Sequence, residues 1–172
     1  MRVGPAVQRN VVLTGFMGTG KTTVGRILAE RLGFDFVDTD AVIESRAGPI
    51  PEIFERAGEP GFRELERSVA RELAGRTGLV IATGGRMMLD PECAARLEPS
   101  AHVVCLNATA ETTLERIGDT AQRPLLNVAD PPTRVRELLA ERAAGYGRFI
   151  SVDTDGCTPD EVAGAVLARL GL

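Results

Sequence analysis

The chain has 172 residues, of which 44% are hydrophobic and 26% charged, and its formal net charge at pH 7 is −4. This length suits one domain, and the acidic balance disfavours nucleic-acid binding, which normally requires a basic surface. No segment is apolar over the ~20 residues that a membrane span needs, and the first ten residues lack the apolar core of a secretory signal, so we expect a cytoplasmic protein that binds no membrane.

In chain order, short apolar runs alternate with longer amphipathic segments. The run from Val11 to Thr14 predicts a buried strand, followed by a glycine-rich turn and a helix from Thr22 to a stop at Gly33. After a strand at 34–37, helical spacing continues in segments 41–46, 52–57 and 60–76. The alternation then repeats, with strands at 79–83, 102–106 and 149–152 and helices at 91–97, 109–117, 133–146 and from Pro159 onward. Residues 118–132 are polar and carry three prolines, which predicts a mobile loop.

This alternation, with strands that are apolar throughout, predicts a parallel sheet covered by helices on both faces. No repeat, low-complexity tract or linker divides the sequence. We therefore predict a single α/β domain over residues 1–172. Three widely separated cysteines and a single histidine argue against a disulfide framework or a structural zinc site.

Residues 15–22, Gly-Phe-Met-Gly-Thr-Gly-Lys-Thr, fit the phosphate-binding pattern G-x-x-x-x-G-K-[ST] between a predicted strand and a predicted helix. Glycines let such a loop curl so that its N–H groups and the helix N-terminus face phosphate oxygens. Lys21 is the only lysine among 20 basic residues. We predict that Lys21 contacts the β- and γ-phosphates and that Thr22 binds Mg²⁺; a turn that binds nothing is the alternative. The predicted nucleotide-binding residues of the segment are Gly18, Thr19, Gly20, Lys21, Thr22 and Thr23.

Two acids, Asp38 and Asp40, follow the second predicted strand. In a parallel sheet they lie at the carboxyl edge, the edge at which the phosphate-binding loop also lies. Asp38 is a candidate to hold Mg²⁺ through water, and Asp40 to orient or deprotonate an acceptor hydroxyl. The alternative is a solvated turn that caps a helix beginning at Ala41. The third predicted strand carries no acid, which disfavours GTPases and motor ATPases.

Further candidate residues come later in the sequence. Arg63 lies one helical turn before Glu66, and a surface salt bridge is its simplest interpretation. Gly84 and Gly85 follow the third strand, where bare backbone can approach a ligand, although an ordinary turn is equally consistent with them. Arg123 stands in the predicted mobile loop, and Arg142 near the end of a helix.

Taken together, these elements resemble the shikimate kinase family over nearly the whole chain. The matching segments, in order, are GFMGTGKTTVGRILAERLG, DTD at 38–40, GEPGFRELE, ATGG, RPLL and ER…Y. Many kinases share the first segment, whereas the ordered set is far more specific. The resemblance implies phosphorylation of the 3-hydroxyl of shikimate by ATP, a step in aromatic amino acid biosynthesis. It also implies a P-loop NTPase fold, three-layer αβα with a five-stranded parallel sheet, a substrate-binding helical region at about 40–76 and a lid at about 118–132.

The resemblance also implies roles for individual residues. Asp40 would bind the hydroxyls of shikimate and act as the base, and Thr22 and Asp38 would hold Mg²⁺. The remaining implied roles are carboxylate binding by Arg63 and Arg142, backbone contacts from Gly84 and Gly85, phosphate neutralisation by Arg123 of the lid and adenine packing by Arg116. The expected ligands are ATP, Mg²⁺ and shikimate or a similar polyol acid, bound by a monomer.

Two positions depart from the family pattern. Arg86 stands where a third glycine is usual, and an αL conformation there would cost a non-glycine residue about 1 kcal/mol or more. Gly145 stands in a segment that commonly carries proline and leucine before the tyrosine. Both positions leave other acceptors open, such as gluconate or an aminated shikimate analogue. A nucleotide-binding module without catalysis is the alternative from a different class.

Overall fold

The computed structural model describes residues 8–120 and 123–172. Residues 1–7, in the segment where we expect no secretory signal, and residues 121–122, in the predicted lid, lie outside the described residues. The strands are β1 Asn10–Thr14, β2 Asp35–Asp38, β3 Leu79–Ala82, β4 Ala101–Asn107 and β5 Ile150–Asp153. The helices are α1 Lys21–Leu32, α2 Thr39–Ala47, α3 Ile50–Leu73, α4 Pro91–Leu97, α5 Ala110–Ile117, α6 Pro131–Tyr146 and α7 Pro159–Leu170. Short 3₁₀ helices occur at Met87–Leu89 and Glu98–Ser100.

All five strands pair in parallel, in the order β2-β3-β1-β4-β5. Alternate side chains of β1 enter opposite cores, since successive residues of a strand face opposite sides of the sheet. Val12 packs with α2, α3 and α4 on one face. Val11 and Leu13 pack with α1 and α7 on the other. The predicted three-layer fold with five parallel strands is therefore confirmed.

Helix α3 contains a break that the sequence predicts. Gly58 has φ 67° and ψ −178°, and Pro60 follows it inside the helix. Proline supplies no N–H to the helix and restricts the residue before it, so the backbone needs a conformational change at this point. The break separates the predicted segments 52–57 and 60–76, and the second segment ends at Leu73, three residues earlier than predicted. Downstream of the break, the α3 side chains Phe62, Val69 and Leu73 are buried in the core.

The second half of the chain adds a third apolar cluster above the β4 side of the sheet. Phe16 and Cys105 pack there with α6 residues and with Leu126 of the predicted lid, which is fully buried. Helix α7 begins with Thr158 as its cap, and Thr158 and Glu161 form a reciprocal capping box. Among the residues described, no helix combines the length and apolar character needed to cross a membrane.

Candidate active site

The carboxyl ends of β1, β2 and β3 converge on one edge of the sheet, as parallel strand order requires. β1 leads into the phosphate-binding loop and α1, β2 into Asp38 and α2, and β3 into Thr83 and Gly84. A cavity of about 270 Å³ lies between these segments and is lined by Gly18, Gly20, Lys21, Thr22, Thr23, Asp38, Asp40, Gly84, Gly85 and Arg123, among others. The structure thus brings together residues that are up to about a hundred positions apart in the sequence.

Within the phosphate-binding loop, Gly18 and Gly20 have φ values of +74° and +89°. Left-handed residues alternating with right-handed ones turn successive N–H groups toward one side, which forms an anion-binding concavity. The Lys21 ammonium group donates to the carbonyl oxygens of Gly15 and Phe16, both at 2.8 Å. Desolvation lowers the pKa of Lys21 to about 8, although the carboxylates of Asp40 and Asp38 partly oppose this effect.

Asp38 caps α2 with one carboxylate oxygen and contacts Thr22 with the other, while its role in holding Mg²⁺ stays a prediction. Its Oδ1 accepts from the N–H groups of Asp40 and Ala41 and caps α2, so the helix begins at Thr39 rather than at Ala41. Its Oδ2 accepts from the Thr22 hydroxyl at 2.8 Å. Hydroxyl and carboxylate oxygens are the hard donors that Mg²⁺ prefers. No cluster of three or more His, Cys, Asp or Glu side chains that could hold a metal ion occurs in the described part of the chain.

Asp40 lies in the first turn of α2 and faces the cavity. Its Oδ1 is shielded from solvent and accepts no hydrogen bond from any described residue. Burial raises the pKa of Asp40, and Asp38 raises it further, while Lys21 and Arg63 lower it. A buried carboxylate oxygen without a donor is costly, and a ligand hydroxyl would supply that donor.

A side chain at Gly84 would displace two carboxylates that lie beside it. A Cβ at this position would stand 2.8 Å from Glu66 Oε1 and 2.9 Å from Asp40 Oδ1. Its N–H donates to the Thr39 hydroxyl at 3.1 Å, which fixes the turn after β3 against α2. Gly84 therefore permits the close approach of the acids, and its φ lies in the ordinary range.

Arg63 is held between two glutamates of α3. Its Nη1 donates to Glu66 Oε2 at 2.7 Å, and its Nε and Nη2 donate to Glu59 Oε1 at 3.2 and 3.0 Å. Glu66 is 1% exposed. Burial raises its pKa to about 7, against the lowering effect of Arg63. Arg63 uses three of its five N–H groups in this arrangement, so one N–H on each Nη stays available for a ligand.

Arg142 approaches the same region from α6. Its side chain is 6% exposed, and its guanidinium group lies over the Phe16 ring at 5.4 Å from the centroid. Beside it, the Tyr146 hydroxyl donates to the Gly85 carbonyl. None of the ion pairs found in residues 8–120 and 123–172 involves Arg142. A buried guanidinium without a carboxylate partner favours binding of an anionic ligand.

Arg63 and Arg142 line a second cavity of about 400 Å³, which opens beside the first. Asp40, Gly84, Gly85 and Arg123 line both cavities. The structure therefore places the predicted acceptor-binding residues around one cavity and the predicted phosphate-binding residues around the other. Asp40 and Arg123 stand where the two cavities meet.

Arg116 lies on the far side of the phosphate-binding loop. Its Nη1 donates to the Gly18 carbonyl at 3.2 Å and to Thr154 Oγ1 at 2.9 Å. Together with Thr19, it lines a third cavity of about 340 Å³. This position is next to the loop and away from the acceptor cavity, as a contact with the nucleoside would require.

Arg86 does not have the left-handed αL conformation that a glycine could adopt at this position. Its φ is −109° and its ψ −5°, and within the described residues positive φ values occur only at glycines. The expected penalty for a left-handed residue is therefore wrong. Its side chain extends to Glu59, with Nη1 3.0 Å from Oε1.

Sequence reasoning missed several residues that shape the site. Glu59 orients Arg63, Phe16 packs on Arg142, and Thr39 anchors Gly84. For Glu66, the helical spacing from Arg63 is the one signal in the sequence that indicates its role. The contacts of Phe16 and Thr39 join distant segments, so no local pattern announces them.

Comparisons with known proteins agree with this geometry. The family model described as shikimate kinase matches residues 17–171. A shikimate kinase of Thermodesulfovibrio yellowstonii is 44% identical over 92% of this chain and 93% of its own length. The structure of shikimate kinase from Acinetobacter baumannii in complex with shikimate has a TM-score of 0.90 and 39% identity, covering 95% of this chain and 93% of that one. A gluconokinase from Sinorhizobium meliloti, 22% identical with a TM-score of 0.67 over 96% and 93% of the two chains, shares the fold.

Proposed function

The chain belongs to the shikimate kinase family, and we propose that it transfers the γ-phosphoryl group of ATP to the 3-hydroxyl of shikimate. The observation that carries this proposal is Asp40 Oδ1, a buried acceptor without a donor among the described residues. It stands between a cavity lined by the phosphate-binding loop and a cavity lined by two arginines. An alcohol that also carries a carboxylate fits both sides of this arrangement.

On the nucleotide side, the chain supplies backbone N–H groups and the Lys21 ammonium group. In our proposal Lys21 exchanges its contacts with the Gly15 and Phe16 carbonyls for phosphate oxygens, which keeps it protonated. Arg123, which also lines this cavity, adds a second positive charge. Phosphoryl transfer depends mainly on positioning and on neutralising the equatorial oxygens, so these two charges account for much of the catalysis.

On the acceptor side, Arg142 and the available N–H groups of Arg63 bind the carboxylate. The planar guanidinium group suits this task because it makes two parallel hydrogen bonds to one carboxylate. With the carboxylate fixed at that end, a ring hydroxyl meets Asp40 Oδ1. Asp40 accepts the hydroxyl hydrogen bond, orients the oxygen toward the phosphate and takes its proton as transfer proceeds.

Thr22 and Asp38 are the residues that would hold Mg²⁺, because their oxygens already lie 2.8 Å apart beside Lys21. The ion would neutralise charge on the phosphates and fix their orientation. Replacing Asp38 with Asn keeps the cap of α2 through the amide oxygen and removes the charge. This variant separates the capping role from the metal-binding role.

The test is an acceptor panel with the purified protein, MgATP and a coupled assay for ADP. Shikimate, an aminated shikimate analogue and gluconate are compared by kcat/KM, with Asp40→Asn as the variant that removes the proposed base. We expect shikimate to give the highest kcat/KM and Asp40→Asn to reduce kcat by orders of magnitude. Stronger turnover of gluconate would overturn the acceptor assignment. ADP formation that no acceptor stimulates would favour a module without this catalysis.

A further inference from the structure

Arg86 lies in the turn that follows β3, and its side chain is 53% exposed. It lines the acceptor cavity and also a neighbouring cavity of about 540 Å³. The glycine that the resemblance leads us to expect here would contribute no side chain.

Glu59 is shared between Arg86 and Arg63. Its Oε1 accepts from Arg63 Nη2 at 3.0 Å and from Arg86 Nη1, also at 3.0 Å. The two guanidinium groups therefore meet at one carboxylate oxygen. Although burial raises the pKa of Glu59, the hydrogen bonds and charges of Arg63 and Arg86 outweigh it and hold this pKa below its ordinary value. Glu59 is accordingly a full negative charge at neutral pH.

The charge of this cluster bears directly on an anionic acceptor. Arg63 contacts Glu59, which is ionised, and Glu66, whose pKa of about 7 leaves it partly ionised at neutral pH. Arg86 raises the charge of this cluster by one unit, whatever the protonation state of Glu66. A carboxylate that approaches the free N–H groups of Arg63 is bound more favourably when the charge of the cluster is higher, because charge interactions extend over several ångströms.

We propose that Arg86 is a specificity-determining residue, which offsets the charge of Glu59 and so lets Arg63 bind acceptors that carry a carboxylate. Arg86 acts through Glu59 and is a positioning residue rather than a catalytic one. The inference rests on the proposed function in one respect, the carboxylate of the acceptor at Arg63.

The experiment compares Arg86→Gly, Arg86→Met and Arg86→Lys with the wild type. We expect Arg86→Gly and Arg86→Met to raise the KM for shikimate about 3- to 10-fold, an effect of the size expected for a partly exposed charge. Arg86→Lys should stay within about twofold of wild type because it keeps the charge. The kcat and the KM for ATP should change less than about twofold in all three. The methyl ester of shikimate, which lacks the charge, should bind the wild type and Arg86→Met equally well.

Two further variants separate charge from structure. Arg148→Met removes an arginine of similar exposure, 47%, whose partner is Glu98 at 2.6 Å, and it should leave the KM for shikimate unchanged. Glu59→Gln in the Arg86→Met background keeps an acceptor for Arg63 and restores the wild-type charge of the cluster. We expect this double variant to recover most of the wild-type KM.

Calorimetry measures the binding of shikimate directly, so it tests the inference whether or not the protein phosphorylates shikimate. Wild-type binding without phosphorylation would overturn the proposed function alone, and the Kd values of the Arg86 variants would then test the inference. An unchanged Kd or KM in Arg86→Met, or an equal effect on the methyl ester, would overturn the inference alone. No binding of shikimate by the wild type would overturn both.

Discussion

Lys21 is the residue on which nucleotide chemistry depends most. Its ammonium group lies among loop carbonyls and two carboxylates, and no other lysine of the chain can replace it. We expect Lys21→Ala to reduce kcat by about 10²-fold or more, because a phosphate-neutralising charge is lost in the transition state. Steady-state kinetics measure this effect, and thermal unfolding serves as the control for folding. Near-normal turnover would contradict the role.

The lowered pKa of Lys21, about 8, predicts a pH dependence for ATP binding. Phosphate oxygens favour the protonated amine, so the complex has a higher pKa than the free protein. Affinity is then constant below about pH 7 and weakens as the pH rises through about 8, by up to tenfold per unit. Calorimetric titration with MgATP measures the profile. Lys21→Arg, which stays protonated, should remove the dependence, whereas a flat wild-type profile to about pH 9.5 would refute the assignment.

Arg63 is the residue that we expect to bind the carboxylate of the acceptor. Replacing it with alanine leaves Glu59 and Glu66 without their common partner and removes a bidentate contact with the ligand carboxylate. We expect Arg63→Ala to raise the KM for shikimate about 10- to 100-fold, as loss of a charge-assisted hydrogen bond would, and to change the KM for ATP far less. Equal increases in the two constants would contradict a carboxylate-binding role.

For single residues, the sequence predicts the chemical role of a side chain better than it predicts which other side chains it contacts. Residues 15–22 are recognisable because a phosphate-binding loop needs a fixed spacing of glycine, lysine and hydroxyl. The position of Arg142 follows from the resemblance, but its burial over Phe16 does not. The Glu59–Arg86 contact joins α3 to the turn after β3. It depends on how two elements pack, which no local pattern reveals.

We expect the break in helix α3 to orient Glu59 and Arg63, so a substitution at the break should affect both folding and acceptor binding. Gly58 combines φ 67° with ψ −178°, a region that is almost restricted to glycine. We expect Gly58→Ala to lower the free energy of unfolding by about 1–3 kcal/mol and also to raise the KM for shikimate. Chemical denaturation and steady-state kinetics measure the two effects.

Gly33→Ala provides the matched control for this substitution. Gly33 also has a positive φ, +68°, and a Cβ there would contact nothing within 4 Å. It ends α1, and its replacement should cost about 1 kcal/mol without any change in KM. If both variants altered the KM for shikimate equally, the break in α3 would not be the element that positions the acceptor residues.

The start of a helix is predictable where the sequence contains a capping residue followed by proline. Asp90 and Thr158 precede prolines at the first helical position, and α4 and α7 begin where that pattern indicates. The 3₁₀ helix at Met87–Leu89 was not predicted, because buried methionines in a short turn give no periodic signal. β2 ends one residue later than predicted, which makes Asp38 both the last residue of a strand and the cap of α2.

For the whole molecule, strand order explains why one edge of the sheet holds the site. β1 lies between β3 and β4, so the phosphate-binding loop lies next to the turn after β3. The end of β2, with Asp38 and the nearby Asp40, lies one strand further on. Alternating apolar strands and helices predict a parallel sheet covered on both faces, whereas the order of the strands was not predicted and comes from the structure. The monomeric state and the cytoplasmic location stay predictions from the sequence.

The most direct test of the proposed phosphoryl transfer is ³¹P NMR of a reaction that contains the purified protein, MgATP and shikimate. We expect the γ-phosphate signal to disappear while one phosphomonoester signal appears in equal amount, coupled to the proton on C3 of shikimate, with ADP as the other product. A spectrum in which ATP persists, or in which only ADP and inorganic phosphate form, would contradict it.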